Sequence, residues 1–114
     1  MDECLFCDIV NNKIPCEKLI ENDSIIAFRD INPQAPTHIL IIPKKHISTI
    51  NDLNPKDSVL IGEIFLIAKE LAQNENINIS GFRTIFNCNE DGGQTVYHMH
   101  LHLLGGRKLS WPPG

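Results

Sequence analysis

The 114-residue sequence predicts an α+β fold in which a five-stranded antiparallel meander sheet packs against one long helix, with a second, short helix at the N-terminus. Three observations carry this expectation. Short apolar runs rich in Ile and Phe recur near residues 17–21, 25–29, 39–43, 82–86 and 97–104, each bounded by Gly, Pro, Asn or Asp, as strands are. Between the third and fourth runs, Leu60, Ile64, Ile67, Ala68 and Leu71 repeat with a helical period and fall on one stripe. The connection Glu21-Asn22-Asp23-Ser24 is too short for a crossover, so the first two strands form a hairpin.

Taken in chain order, residues 6–11 suit the short helix, and the hairpin and third strand follow. The long helix opens with Asn54 as N-cap and Pro55 at the first helical position, where a missing N–H costs nothing. It runs to residue 74, with Gly81 in the turn beyond, and the last two strands close the sheet. No repeat, low-complexity segment or linker interrupts the chain, so residues 1–114 read as a single domain. A domain of this size buries only about 60–70% of the surface its unfolded chain exposes, which makes a metal staple or a partner subunit an expected source of stability.

Composition excludes several function classes. A net charge of -4, from 14 acidic against 10 basic side chains, argues against duplex nucleic acid or an anionic membrane as partner. No run of 18 apolar residues is present to span a bilayer. The start MDECLFCDIV is acidic where a signal peptide needs a basic start and a long apolar stretch, so the expected location is cytoplasmic, or nuclear in a eukaryote. Without export, Cys4-x-x-Cys7 reads as metal-binding or redox-active rather than as half of a disulfide framework, and Cys16 and Cys88 read as core thiols.

The richest stretch is Tyr97-His98-Met99-His100-Leu101-His102-Leu103-Leu104. On a strand, alternate side chains share a face, so His98, His100 and His102 line one side while Met99, Leu101 and Leu103 enter the core. Two chemical readings follow. Two of the imidazoles could chelate Zn²⁺ with His38 or His46 as third ligand, leaving an open position to activate water. Alternatively one neutral imidazole is a nucleophile, since a pKa near 6.5 leaves most of it unprotonated at neutral pH. The preceding turn, Asp91-Gly92-Gly93-Gln94-Thr95, offers backbone N–H groups to an anion and a hydroxyl that can donate a proton, which suits a phosphoryl group.

HMHLHLLGGRKLSWPPG resembles the signature of the histidine triad (HIT) superfamily, with the C-terminal tail of its nucleotide-binding (Hint) branch. GGQTVYH, DINPQAPTHILIIPKKHIS and LFCDIV are similar to the same branch, so the likeness covers nearly the whole chain. It implies a homodimer that hydrolyses nucleoside monophosphates linked through phosphorus to an amine or acyl group and releases AMP or GMP. By position, His100 resembles the family nucleophile, which forms a nucleotidyl-imidazole intermediate. His102 and His38 resemble the residues that hold phosphoryl oxygens and move protons, and Thr95 stands where such proteins commonly carry Ser. Asp30 resembles the ribose-binding carboxylate. Phe6, Ile9, Phe28, Ile31 and Leu40 would sandwich a purine, with Asn87, Gly93 and Gln94 at the phosphate.

Cys4 and Cys7 resemble instead the zinc-bearing members of the superfamily. The resemblance implies a structural zinc site of Cys4, Cys7, His46 and His98, whose closed set of four ligands leaves no position for a catalytic water. No catalytic metal is expected. A dinucleoside polyphosphate hydrolase of a sister branch, and a noncatalytic nucleotide-binding or interaction module, are the alternative functions.

Overall fold

Asn22 turns the first hairpin: its Oδ1 accepts from the backbone N–H groups of Ser24 and Ile25, each at 2.8 Å. The computed structural model, which describes residues 4–114, places this turn between β1 (Lys18–Glu21) and β2 (Ile25–Arg29). Helix α1 (Leu5–Val10) precedes them, and β3 (Thr37–Pro43) follows. Helix α2 (Ser58–Asn74) then leads to β4 (Phe82–Phe86), the single-turn α3 (Asn89–Gly92) and β5 (Leu101–Gly105). Asn54 and Pro55 open the long helical segment as expected, although its first turn, Pro55–Asp57, is 3₁₀.

All five strands pair antiparallel, in the order β1-β2-β3-β5-β4. The expected meander therefore holds through β3 and is corrected at its end. The segment containing α2 carries the chain past the position β5 will fill, so β4 becomes the far edge and β5 returns between β3 and β4. Two strand boundaries also move. β3 begins at Thr37 and so includes His38, while β5 begins only at Leu101. Residues 98–100 leave the ladder because the Met99 N–H donates to Ile47 O at 2.7 Å instead of to β3.

Strand parity divides the core into two layers. Odd-numbered residues Ile25, Ala27, Ile39, Ile41, Leu101 and Leu103 pack against Ile64, Ile67, Ala68 and Leu71 of α2. Even-numbered Ile26, Phe28, Leu40 and Ile42 pack against Phe6 and Ile9 of α1. His38 and His102 have even numbers too, and the register that pairs Leu40 with His102 and His38 with Leu104 sets the two imidazoles diagonally across adjacent strands.

The α2 face is tied to the sheet by a bidentate ion pair. Arg29 Nη1 and Nη2 each donate to a Glu75 carboxylate oxygen at 2.9 Å, and Thr37 Oγ1 adds a bond at 3.3 Å. The guanidinium holds the Glu75 carboxyl below its usual range. Where β5 ends, Gly105 meets the segment after α2 so closely that a Cβ would lie 2.5 Å from Ile77 Cδ1. Beyond it Arg107 donates to Gln34 O at 2.9 Å, and Arg83 on β4 donates to Ser110 O at 2.8 Å while its guanidinium sits 5.8 Å from the Trp111 ring centroid.

Candidate active site

The α1 face of the sheet opens into a cleft of about 280 Å³. Its lining includes Phe6, Ile9, Phe28, Asp30, Ile31, Leu40, Thr95, His100 and His102, nine of the residues expected at a nucleotide site. Phe6 meets Phe28 edge to face, with centroids 5.6 Å apart, so the apolar wall is an angled corner rather than a pair of parallel plates. Ile31 is 98% exposed at the mouth. Leu5, Ile14, Pro15, Cys16 and Val96 complete the apolar wall, and the sequence offered no periodic signal for them. Cys16, expected in the core, is half-buried at this wall; burial raises its thiol pKa and keeps it protonated.

His38, His98 and His100 each have a ring nitrogen bonded to the main chain, which fixes the tautomer, and His38 in turn fixes His102. His100 Nδ1 lies 2.8 Å from His98 O. A carbonyl only accepts, so Nδ1 carries the proton and Nε2 keeps its lone pair. His98 is the mirror case: Nε2 donates to Pro43 O at 2.7 Å, which leaves Nδ1 bare. At His38 the main chain is the donor, since the Gln34 N–H points at Nδ1 from 3.0 Å. The His38 proton therefore sits on Nε2, which is 2.9 Å from His102 Nδ1 and 3.5 Å from Asp30 Oδ2. His102 Nδ1 must accept, which puts the His102 proton on Nε2. The result is a directed chain: Gln34 N–H to His38, His38 to His102, and an N–H of His102 left over to donate.

Burial lowers the pKa of all four rings and keeps them neutral. His102 goes furthest, pushed down to about 4 by burial and then by the neighbouring His100 and His38. Asp30 opposes the shift at His38. Its Oδ1 is held by the Asn32 N–H at 2.8 Å, leaving Oδ2 for the imidazole side.

Two groups of side chains bring at least three potential metal donors within 4.8 Å of one another among the described residues. One is Asp30, His38 and His102, where the nitrogen His38 would offer already carries its proton, so that group is a hydrogen-bond chain. The other is Cys4, Cys7, His46 and His98. Here the bare Nδ1 of His98 lies 3.5 Å from Cys4 Sγ and 3.6 Å from Cys7 Sγ, and His46 Nδ1 lies 3.2 Å from Cys7 Sγ. Burial, Cys4 and Asp8 together push the Cys7 thiol up to about 11, the environment of a sulfur pair that lacks a neighbouring positive charge. These four residues can bind a metal ion.

The Gln94 side chain spends both N–H donors on main-chain carbonyls, Ser48 O at 2.7 Å and Val96 O at 3.1 Å, and has none left for a phosphate. Asn87, Gly93 and Gln94 also stand outside the lining of the cleft and belong to the connection from β4 to β5.

A sheet whose even-numbered face carries a neutral, backbone-oriented imidazole beside a second proton-donating one defines a protein of the histidine triad type. The family model described as scavenger mRNA decapping enzyme C-term binding matches residues 3–110. A HIT family hydrolase from Legionella pneumophila Philadelphia 1 is 59% identical, with a TM-score of 0.97 and coverage of 98% of this chain and 100% of that one. A histidine triad protein from Clostridium difficile is 42% identical, with a TM-score of 0.91 and coverage of 96% and 97%. The purine nucleoside phosphoramidase of Escherichia coli strain K12 is 46% identical over 108 residues, 95% of this chain and 91% of that relative. The chain belongs to the histidine triad family.

The neutral imidazoles make stability depend on pH. The unfolded chain takes up protons at its ordinary imidazole pKa near 6.5, whereas the native rings of His38 and His102 resist them, His102 down to about 4. Their contribution is complete above pH 6.5 and is lost as pH falls from there toward 4. The melting temperature followed by circular dichroism is expected to be lower at pH 5 than at pH 7.5, with a shallower slope in His38→Asn/His102→Asn. Equal slopes in the two proteins would exclude this origin.

Proposed function

We propose that this protein is a purine nucleoside phosphoramidase, which hydrolyses the P–N bond, and related acyl-phosphate bonds, of nucleoside 5′-monophosphate derivatives. The observation that carries the reading is the bond from His100 Nδ1 to His98 O, which leaves Nε2 as a neutral nucleophile in a cleft also lined by Asp30 and His102, with His38 bonded to His102. The apolar corner of Phe6, Ile9, Phe28 and Leu40 suits a base, and Asp30 Oδ2 suits the ribose hydroxyls. The 46% identity to the Escherichia coli phosphoramidase supports the same substrate class.

In this mechanism His100 Nε2 attacks the α-phosphorus and the P–N bond breaks. The leaving nitrogen takes a proton, for which the His102 N–H and the Thr95 hydroxyl at the cleft wall are the available donors. His100 becomes a cationic nucleotidyl-imidazole, and its Nδ1–H bond to His98 O strengthens as the ring gains charge. Water then attacks phosphorus, releases AMP or GMP and restores the neutral ring; the proton that this water loses returns to the group, His102 or Thr95, that gave one to the leaving nitrogen. All of these steps use this chain's own side chains.

His100→Ala is expected to keep the fold and nucleotide binding but lose at least about a thousandfold in turnover of adenosine phosphoramidate, a barrier increase on the order of 4 kcal/mol. Near-normal turnover by the folded variant would refute the assignment. In the same assay, preferential cleavage of diadenosine polyphosphates would transfer the protein to the sister activity, and binding without turnover would make it a noncatalytic module.

The metal reading is a structural zinc ion held by Cys4, Cys7, His46 and His98. A tetrahedral ion with ordinary Zn–S and Zn–N bonds separates sulfur from nitrogen by about 3.5 Å. Three of the four sulfur–nitrogen distances here run from 3.2 to 3.6 Å, and all four donor atoms lie within 4.8 Å of one another. Zinc would supply folding energy and neutralise the thiolates. Cys4→Ser/Cys7→Ser, or chelation, is expected to lower the melting temperature by about 5–10 °C while folded protein retains measurable turnover. Complete, zinc-reversible loss of turnover in still-folded protein would make the metal catalytic.

The reading includes a cytoplasmic homodimer. Its support is the exposed apolar surface of Val59, Phe65 and Leu66 on α2 together with Phe82 on the edge strand β4. Light scattering at micromolar concentration is expected to give twice the protomer mass; a fully active monomer would overturn it.

A further inference from the structure

Gln94 is buried, 6% exposed, between the left-handed Gly93 and the cleft-lining Thr95. Its side chain joins three main-chain segments. Oε1 accepts from the Asn89 N–H at 2.9 Å, where the turn begins, and Nε2 donates to Val96 O at 3.1 Å, where the turn ends. The shortest bond goes elsewhere, from Nε2 to Ser48 O at 2.7 Å. Ser48 in turn places Oγ 3.1 Å from His46 Nε2, on the side of the ring away from Cys7.

A path of hydrogen bonds, joined covalently through Ser48 between its hydroxyl and its carbonyl, therefore runs from a residue of the metal group, by way of the Gln94 amide, to both ends of the turn that carries Gly93 and Thr95. A buried amide with every donor and acceptor bonded has one arrangement that satisfies it, and a shift at either end leaves a polar group unpaired. Resting on the nucleotide and zinc readings above, we propose that Gln94 is a positioning residue that couples the metal group to the phosphate turn. Zinc that orders His46 orders Ser48, and Ser48 holds the turn in the form that accepts a nucleoside monophosphate. By linkage the effect is reciprocal: AMP tightens zinc by the same factor by which zinc tightens AMP.

The test uses the full chain with zinc and AMP as probes. Zinc affinity is measured by competition with a chelating dye, with and without saturating AMP, and AMP affinity by calorimetry, with and without zinc. Wild-type protein is expected to show matching enhancements of about fivefold or more in both directions. In Gln94→Ala each ligand still binds, and the enhancement falls to near one. A purely structural role would lower both affinities or the melting temperature and leave their ratio in place. Ser48→Ala removes the hydroxyl facing His46 while keeping every bond of Gln94, so it is expected to lose the enhancement even if Gln94→Ala fails to fold.

Wild-type protein that binds both probes independently would overturn the coupling alone, as would an undiminished enhancement in Ser48→Ala. Failure to bind zinc would overturn the metal reading and the coupling with it, and failure to bind AMP would do the same through the nucleotide reading.

Discussion

Four neutral imidazoles crowded at one end of a sheet admit many proton arrangements, and this molecule selects one by fixing a nitrogen of three rings with the main chain and the fourth, His102, through His38. Two carbonyls, His98 O and Pro43 O, demand a proton from the ring they face, while the Gln34 amide forbids one. From those bonds follow the nucleophilic nitrogen of His100, the metal-ready nitrogen of His98 and the direction of the His38–His102 chain. Neutrality is as necessary as orientation, because a second proton on His98 or His38 would meet a thiol or an amide donor. Burial supplies it.

Helix α1 is where the metal group and the cleft become one structure. Cys4 caps it, with Sγ accepting from the Cys7 N–H at 3.3 Å, so the residues that can hold a metal also form its first turn. On the same helix Phe6 presses edge-on against His100 with centroids 5.0 Å apart and lies 6.0 Å from His98. A six-residue helix has little stability of its own. Its position depends on this packing and on whatever draws the two sulfurs toward His46 and His98.

Much of this was legible in the sequence because strands and helices write their periods into it. The helical stripe from Leu60 to Leu71 and the alternation around His100 and His102 reappear as buried faces. Strand order was not legible, since apolar runs encode which face is buried and not which neighbour is paired; only the partial exposure of Phe82–Phe86 marks that strand as an edge. The early end of the β5 ladder was hidden too, because it depends on an Ile47 carbonyl more than fifty residues away in sequence. Gln94 shows the deepest limit. A glutamine beside two glycines has the same letters whether its amide faces a ligand or braces the turn from behind, and only the positions of Ser48, Asn89 and Val96 decide.

The tail has a consequence for how the molecule can be watched. Trp111 is the single tryptophan, and it lies 80% exposed against Arg83 at the rim of the free edge strand. In the isolated protomer its indole already sits in water, so melting the core of one protomer changes its surroundings little. Intrinsic fluorescence from this protein is therefore a poor gauge of unfolding, and a blue shift in its emission reports that something has covered the tail.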